Sequence, residues 1–300
     1  MVKAVLTTKV NPTYDDLPEA HYHFPDTYLR AIEGAVGDWI VYYEPRRISE
    51  NRSRTGGRLA YFATARITSI ERDRVKPGHF YAFVSDYLEF DRAVPFKESD
   101  HYYETGLQRE DGKTNKGAFG RSVRPISDRE YDLILQAGFA SLLEQNNDSI
   151  GRGPMSEIAE EPAIFERPMV QQMVARPFRD AAFSSQVKRA YANTCAVTGL
   201  KLINGGGKAE VQAAHIRPVA AKGPDSVRNG IALSGTIHWM FDRGLISIDD
   251  DYTILMARDQ VPDTITRLMN VDGRLRLPPN HESSPHHQFL RYHREEVFKG

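Results

Sequence analysis

The spacing of hydrophobic and polar positions changes period along the chain. From Gly37 to Phe96 the apolar residues come in short alternating, β-branched or aromatic runs: DWIVYYEP, GGRLAYFATARITSIE and HFYAFVSDYLEF. Turn residues bound each run, which predicts strands of a compact sheet or barrel. Ser127–Glu144 (SDREYDLILQAGFASLLE) then takes a helical period. Ser127 caps its first turn, Glu130 sits three residues on, and Tyr131, Leu133, Ile134 and Leu135 begin an apolar face. Gln145–Pro168 is polar, acidic and interrupted by Gly and Pro, and reads as a linker. Beyond it, Phe183–Tyr191 predicts a helix, Val211–Ile216 and Ile231–Leu233 predict strands, and Gly235–Arg243 predicts a second helix. Leu245–Ala257 returns to strand-like alternation. An α+β protein of two domains is expected, over residues 1–148 and 178–300, with 149–177 as linker.

Composition narrows the class. At 40% hydrophobic and 26% charged residues the chain is globular rather than disordered or fibrous. No stretch approaches the roughly 18 to 20 apolar residues of a membrane span. Only a short apolar patch, Ala4–Leu6, precedes polar residues at the start, so no signal peptide, no membrane partner and a cytoplasmic location are expected. The single cysteine, Cys195, excludes a disulfide scaffold and a four-cysteine zinc knuckle. A net charge of −1, from 39 basic against 40 acidic side chains, argues against a strong global field for polyanions. Arginine-rich runs at residues 45–58 and 66–76 leave local basic surfaces open, although each run also carries acids.

The chemistry concentrates in Ala213–Gly244, AAHIRPVAAKGPDSVRNGIALSGTIHWMFDRG. His215 ends a predicted strand, Asn229 stands just before the next, and His238 lies inside the predicted helix. Asp242, four residues after His238, shares its helical face. Imidazole is the side chain whose ordinary pKa suits proton abstraction from water near neutral pH. Phosphodiester hydrolysis needs such a base and a cation where negative charge develops.

Strand, loop, strand and helix carrying His, Asn and His resemble the HNH nuclease signature, the ββα-metal fold. Cys195–Gly199 (CAVTG), Ala214–Pro218 (AHIRP) and His238–Gly244 (HWMFDRG) resemble the subgroup with CxxTG, AHIxP and HxxFDxG motifs. The resemblance implies His215 as general base, Asn229 as a brace of the loop that holds the His215 backbone, and His238 as a metal ligand with Asp242 beside it. It implies a divalent metal, Mg²⁺ or Mn²⁺ with Zn²⁺ possible, and no structural zinc is expected. Arg217 and Arg243 flank the site as candidate phosphate ligands. Many HNH proteins carry Asp or His directly before the base, whereas this chain has Ala214. The metal would then rely on His238, Asp242, phosphate and water. The tail His286–Phe298 contains three histidines without compact ligand spacing. Phe289, Tyr292 and Phe298 there are expected to dock an amphipathic helix on the nuclease core.

The aromatic density of Gly37–Phe96 resembles PUA-like barrels of the EVE and SRA type, which accept a flipped, modified base between rings. That resemblance implies a pocket formed by Trp39, Tyr42, Tyr43 and Tyr87, placed at strand ends near turns, with Ser85 and Asp86 on the base's polar edge. The expectation is a PUA-like β-barrel followed by a ββα-metal nuclease domain. Together they would form a modification-dependent, type IV-like restriction endonuclease acting as a homodimer on double-stranded DNA containing a modified cytosine. Two other readings are a non-catalytic nucleic-acid-binding regulator with a degenerate HNH fold and an RNA-directed HNH nuclease.

Overall fold

The computed structural model describes residues 3–8, 17–45, 58–143, 175–257 and 260–300. The linker expected at Gln145–Pro168, and nearly all of the arginine-rich run 45–58, lie outside the described residues. The chain divides into two compact units, Met1–Arg179 and Asp180–Gly300.

The first unit is built on one mixed sheet. Its strands are β1 (Lys3–Thr7), β2 (His21–Pro25), β3 (Trp39–Glu44), β4 (Ala60–Arg72), β5 (His79–Pro95) and β8 (Val123–Ile126), in the order β2-β5-β4-β3-β1-β8. β6 (Lys97–Glu98) and β7 (His101–Tyr102) form a separate short hairpin. β1 runs parallel to β3, and the other neighbours in the sheet are antiparallel. A barrel was the expectation. Among the described residues the ladder instead has two edges, β2 and β8, and does not close on itself. Three register shifts between β4 and β5 break these long strands into segments, a device that bends a sheet.

The helix predicted after Ser127 is α3 (Asp128–Gly138), following the short α1 (Leu29–Glu33) and α2 (Lys116–Phe119). Ser127 and Glu130 make the reciprocal capping box that their spacing predicts. Tyr131, Ile134 and Leu135 are buried, and α3 packs on β5 and β4. Inside the same unit Glu104 and Arg124, both buried, form a two-point pair at 2.7 and 2.8 Å. Tyr61 Oη donates to the same carboxylate at 2.6 Å, so this buried pair is compensated by a third polar group.

All six residues of β3 are buried, because the strand is central and covered on both faces. This corrects the expected placement of the reading-pocket aromatics. Tyr42 and Tyr43 lie within β3 and Tyr87 within β5, and these three rings, like Trp39 at the start of β3, are closed to solvent. Tyr42 and Tyr87 belong to one hydrophobic core with Phe24, Ile40 and Ile67. Asp86 holds a left-handed backbone (φ 54°) within β5, and its carboxylate accepts from Ser85 Oγ at 2.8 Å and from Arg179 at 3.1 Å.

The second unit has a hydrophobic core of its own. α4 (Arg176–Ala190) enters it across the division, followed by a hairpin of β9 (Gln212–His215) and β10 (Gly230–Leu233), then α5 (Gly235–Asp242). A second hairpin, β11 (Ile246–Ile248) with β12 (Ile254–Met256), the short α6 (Asp263–Thr266) and the terminal α7 (His287–Glu296) complete it. The first helix starts seven residues before the Phe183 expected from periodicity. Cys195, Ala196 and Val197 are buried in this core. Ala196 N–H donates to Ala232 O at 2.8 Å, which fixes the CAVTG turn to β10.

No described helix is long and apolar enough to cross a membrane.

Candidate active site

β9 and β10 pair antiparallel, with His215 opposite Gly230 and Ala214 opposite Ile231. Alternation along β9 turns Ala214 into the core, fully buried, and leaves His215 part-exposed on the other face. Gly230 lets α4 approach this face, since a Cβ there would lie 2.4 Å from Val187 Cγ2. One consequence is that the Phe183 ring stacks on the His215 imidazole at 3.7 Å between centroids, with 10° between planes.

The other contact of His215 is a carboxylate that the sequence reading passed over. His215 Nε2 lies 2.9 Å from Asp225 Oδ1, and the Asp225 side chain is 1% exposed. A carboxylate accepts, so Nε2 carries the proton and Nδ1 is left with its lone pair. The imidazole is thereby held in plane by Phe183 and in tautomer by Asp225. The hint in the sequence was an acidic residue inside the otherwise small and polar GPDSVRN loop.

Asn229 is fully buried and binds the loop that follows His215. Its Oδ1 accepts from Arg217 N–H at 2.9 Å, while Nδ2 donates to Arg217 O at 3.0 Å and Pro224 O at 2.9 Å. Ile216 N–H donates to Asn229 O at 2.9 Å, so the backbone on both sides of the loop is fixed. The closure is tight enough to require Gly223, where a Cβ would fall 1.8 Å from Arg217 O.

His238 and Asp242 lie on one face of α5, with Nε2 3.4 Å from Oδ2. His238 Nδ1 is 2.7 Å from Gln212 Oε1. The amide oxygen accepts, so Nδ1 donates and Nε2 presents its lone pair beside the carboxylate. His215, His238 and Asp242 line one cavity of about 370 Å³, with Val219 on its rim. An imidazole nitrogen and a carboxylate oxygen at this separation, with the far ring nitrogen tied to a partner, fit one divalent cation completed by phosphate and water. Among the described residues no group of three or more His, Cys, Asp or Glu side chains is placed to hold a metal.

The two arginines differ. Arg217 Nε donates to Ala221 O at 2.8 Å, and its guanidinium lies 4.9 Å from the Tyr292 ring centroid, which leaves only the terminal nitrogens for a phosphate. Arg243 is exposed at the end of α5.

The terminal helix supports this site from behind. Phe289, Leu290 and His293 are buried, while Tyr292 lies against Arg217 and Phe298 is only half-buried. His293 stacks on Phe241 at 3.8 Å, donates from Nε2 to Phe241 O at 3.1 Å and accepts from Ser247 Oγ at Nδ1, 2.9 Å away. Burial pushes its pKa down to about 4.

Residues 195–249 match the family model described as HNH endonuclease. The chain therefore contains an HNH endonuclease domain over these residues, and this supports an enzyme of the nuclease class. Solved structures similar to it include two restriction endonucleases. One is the modification-dependent TagI restriction endonuclease, at 16% identity and TM-score 0.33, over 98% of this chain and 81% of that one. The other is the type IV phosphorothioation-dependent restriction endonuclease ScoMcrA, at 15% identity and TM-score 0.18, over 79% of this chain and 46% of that one. No curated protein matches the chain.

Proposed function

We propose that the protein is a modification-dependent restriction endonuclease that cuts double-stranded DNA in the cytoplasm. In this reading the second unit hydrolyses the phosphodiester bond and the first selects DNA containing a modified cytosine. The observation that carries the nuclease half is the meeting of His215, backed by Asp225, with His238 and Asp242 on one cavity inside the HNH segment.

His215 Nδ1 takes the proton of the attacking water, and the buried Asp225 carboxylate stabilises the imidazolium that results. Asn229 keeps the His215 strand end and its loop in register. His238 Nε2 and Asp242 would hold a divalent cation, Mg²⁺ or Mn²⁺ with Zn²⁺ also fitting an imidazole–carboxylate pair, and would leave room for phosphate and water. A divalent cation bound there supplies electrostatic stabilisation to the non-bridging and leaving oxygens. Arg243 and the free end of Arg217 face the phosphate backbone. One such site cuts one strand, so a double-strand break calls for a homodimer.

The selecting half rests on a separate β-rich unit with dense aromatics, since a reader tethered to a weakly specific nuclease gains selectivity through effective concentration. Trp39, Tyr42, Tyr43, Ser85, Asp86 and Tyr87 form the pocket in this reading.

The test is digestion of matched DNAs carrying cytosine, 5-methylcytosine, 5-hydroxymethylcytosine or glucosylated cytosine, with Mg²⁺ or Mn²⁺ supplied. Preference for a modified substrate is expected. Equal cutting of all four overturns the reader and leaves the nuclease, whereas no cutting of any substrate with either metal overturns the nuclease.

A further inference from the structure

The helix that carries His238 holds an indole that the fold does not use. Ile237, Met240 and Phe241 of α5 are buried, but Trp239 is 58% exposed. Tryptophan is highly buried on average, and isolated exposed apolar side chains are ordinary, so exposure alone says little. Position says more. Asp242 and Arg243 stand three and four residues beyond Trp239, on the same helical face, and both are exposed. Asp242 is also part of the cavity lined by His215 and His238. The indole therefore borders the place where a phosphate would sit, with a guanidinium one turn further on. Val219, 39% exposed, stands on the rim of the same cavity.

A nucleic acid strand is the occupant that this combination suits. Its phosphate meets the cation ligands and arginine, and the nucleotide attached to that phosphate is the nearest flat apolar surface the substrate carries. Aromatic side chains contact nucleotides in a sequence-tolerant way because every base has a π-face. We propose that Trp239 is a strand-contacting residue, whose indole packs against the nucleotide adjoining the phosphate held between His215 and His238. Arg243 engages the backbone beyond it. The proposal rests on the endonuclease reading and adds to it a residue that binds without taking part in proton transfer or metal binding.

The chain has two tryptophans, and the other, Trp39, is buried in the first unit. Intrinsic fluorescence quenched by acrylamide thus reports mainly on Trp239. The experiment uses the full-length His215→Gln variant, which keeps an amide to face Asp225 and leaves the DNA uncut, with an unmodified and a cytosine-modified duplex. DNA binding is followed separately by anisotropy of a labelled duplex. The expected result is that DNA removes the acrylamide-quenchable component, and that this component is missing from the His215→Gln, Trp239→Phe double variant. In the otherwise wild-type chain, Trp239→Ala should raise KM about 5- to 150-fold with kcat nearly unchanged, the pattern of lost uniform binding. Trp239→Phe should restore most of the affinity. An indole that stays equally quenchable while the duplex binds, or equal KM for wild type and Trp239→Ala, overturns this inference alone. A wild-type chain that neither binds nor cuts either duplex overturns the endonuclease reading, and this inference with it.

Discussion

The carboxylate of Asp225 lies 2.9 Å from His215 Nε2 and is buried from solvent. A buried carboxylate with one imidazole partner fixes the ring's tautomer, so Nδ1 is the nitrogen left to accept a proton. His215→Ala is expected to lower the single-turnover nicking rate by about 10²–10⁴-fold at saturating metal, with DNA binding largely kept. Asp225→Asn should also lower the rate, by roughly 10²-fold, because an amide cannot stabilise the imidazolium. Wild-type rates in His215→Ala, measured on supercoiled plasmid, would refute the assignment of the base.

His238 should behave differently, since its part is to hold the cation. Its Nδ1 is oriented by Gln212 from β9, 2.7 Å away. Gln212→Ala is expected to weaken Mn²⁺ affinity about 10- to 100-fold without touching a ligand. His238→Ala should weaken it further, and excess Mn²⁺ should restore part of the cutting. Metal titration of the nicking rate distinguishes the two from His215→Ala, which no metal concentration rescues.

Asn229 and Gly223 act through backbone geometry. Asn229→Ala removes three hydrogen bonds to part-buried backbone groups, a loss of up to roughly 3 kcal/mol at about 1 kcal/mol for each. The melting temperature of the second unit should drop by on the order of 10 °C, with the cutting rate falling at temperatures where the protein stays folded. Gly223→Ala should give the same pair of effects, because its Cβ would collide with Arg217 O. Calorimetry beside activity on one preparation checks both.

His293 makes stability depend on pH. Its folded pKa of about 4 lies below the ordinary value of 6.5, so the unfolded chain takes up a proton that the folded chain refuses. This contribution is full above pH 6.5 and is lost as pH falls from there towards 4, by on the order of 3 kcal/mol. In His293→Gln the corresponding share of the acid sensitivity should vanish. Denaturant unfolding at several pH values reads it as a wild-type-minus-variant difference that changes below pH 6.5 and is flat above.

Local rules carried much of this protein in the sequence itself. The capping box of Ser127 and Glu130 involves residues three apart, so α3 could be placed without knowing what it packs on. His238 and Asp242 meet because four residues make just over one helical turn. The order His215, Asn229, His238 likewise follows from a hairpin leading into a helix, whose paired strands set His215 opposite Gly230, the residue after Asn229. Other features came from contacts between elements far apart in the chain. Alternation within Trp39–Glu44 could not reveal that β3 would be central and buried on both faces, so the rings expected to greet a base became core. The stacking of Phe183 on His215 depends on how α4 lies over Gly230, a matter of helix-on-sheet packing that no spacing encodes. Asp225 could be recognised as the partner of His215 only once the loop had folded back and buried its carboxylate against the imidazole. Pairing across a folded loop is decided by burial and hydrogen-bond geometry, and these exist only in three dimensions.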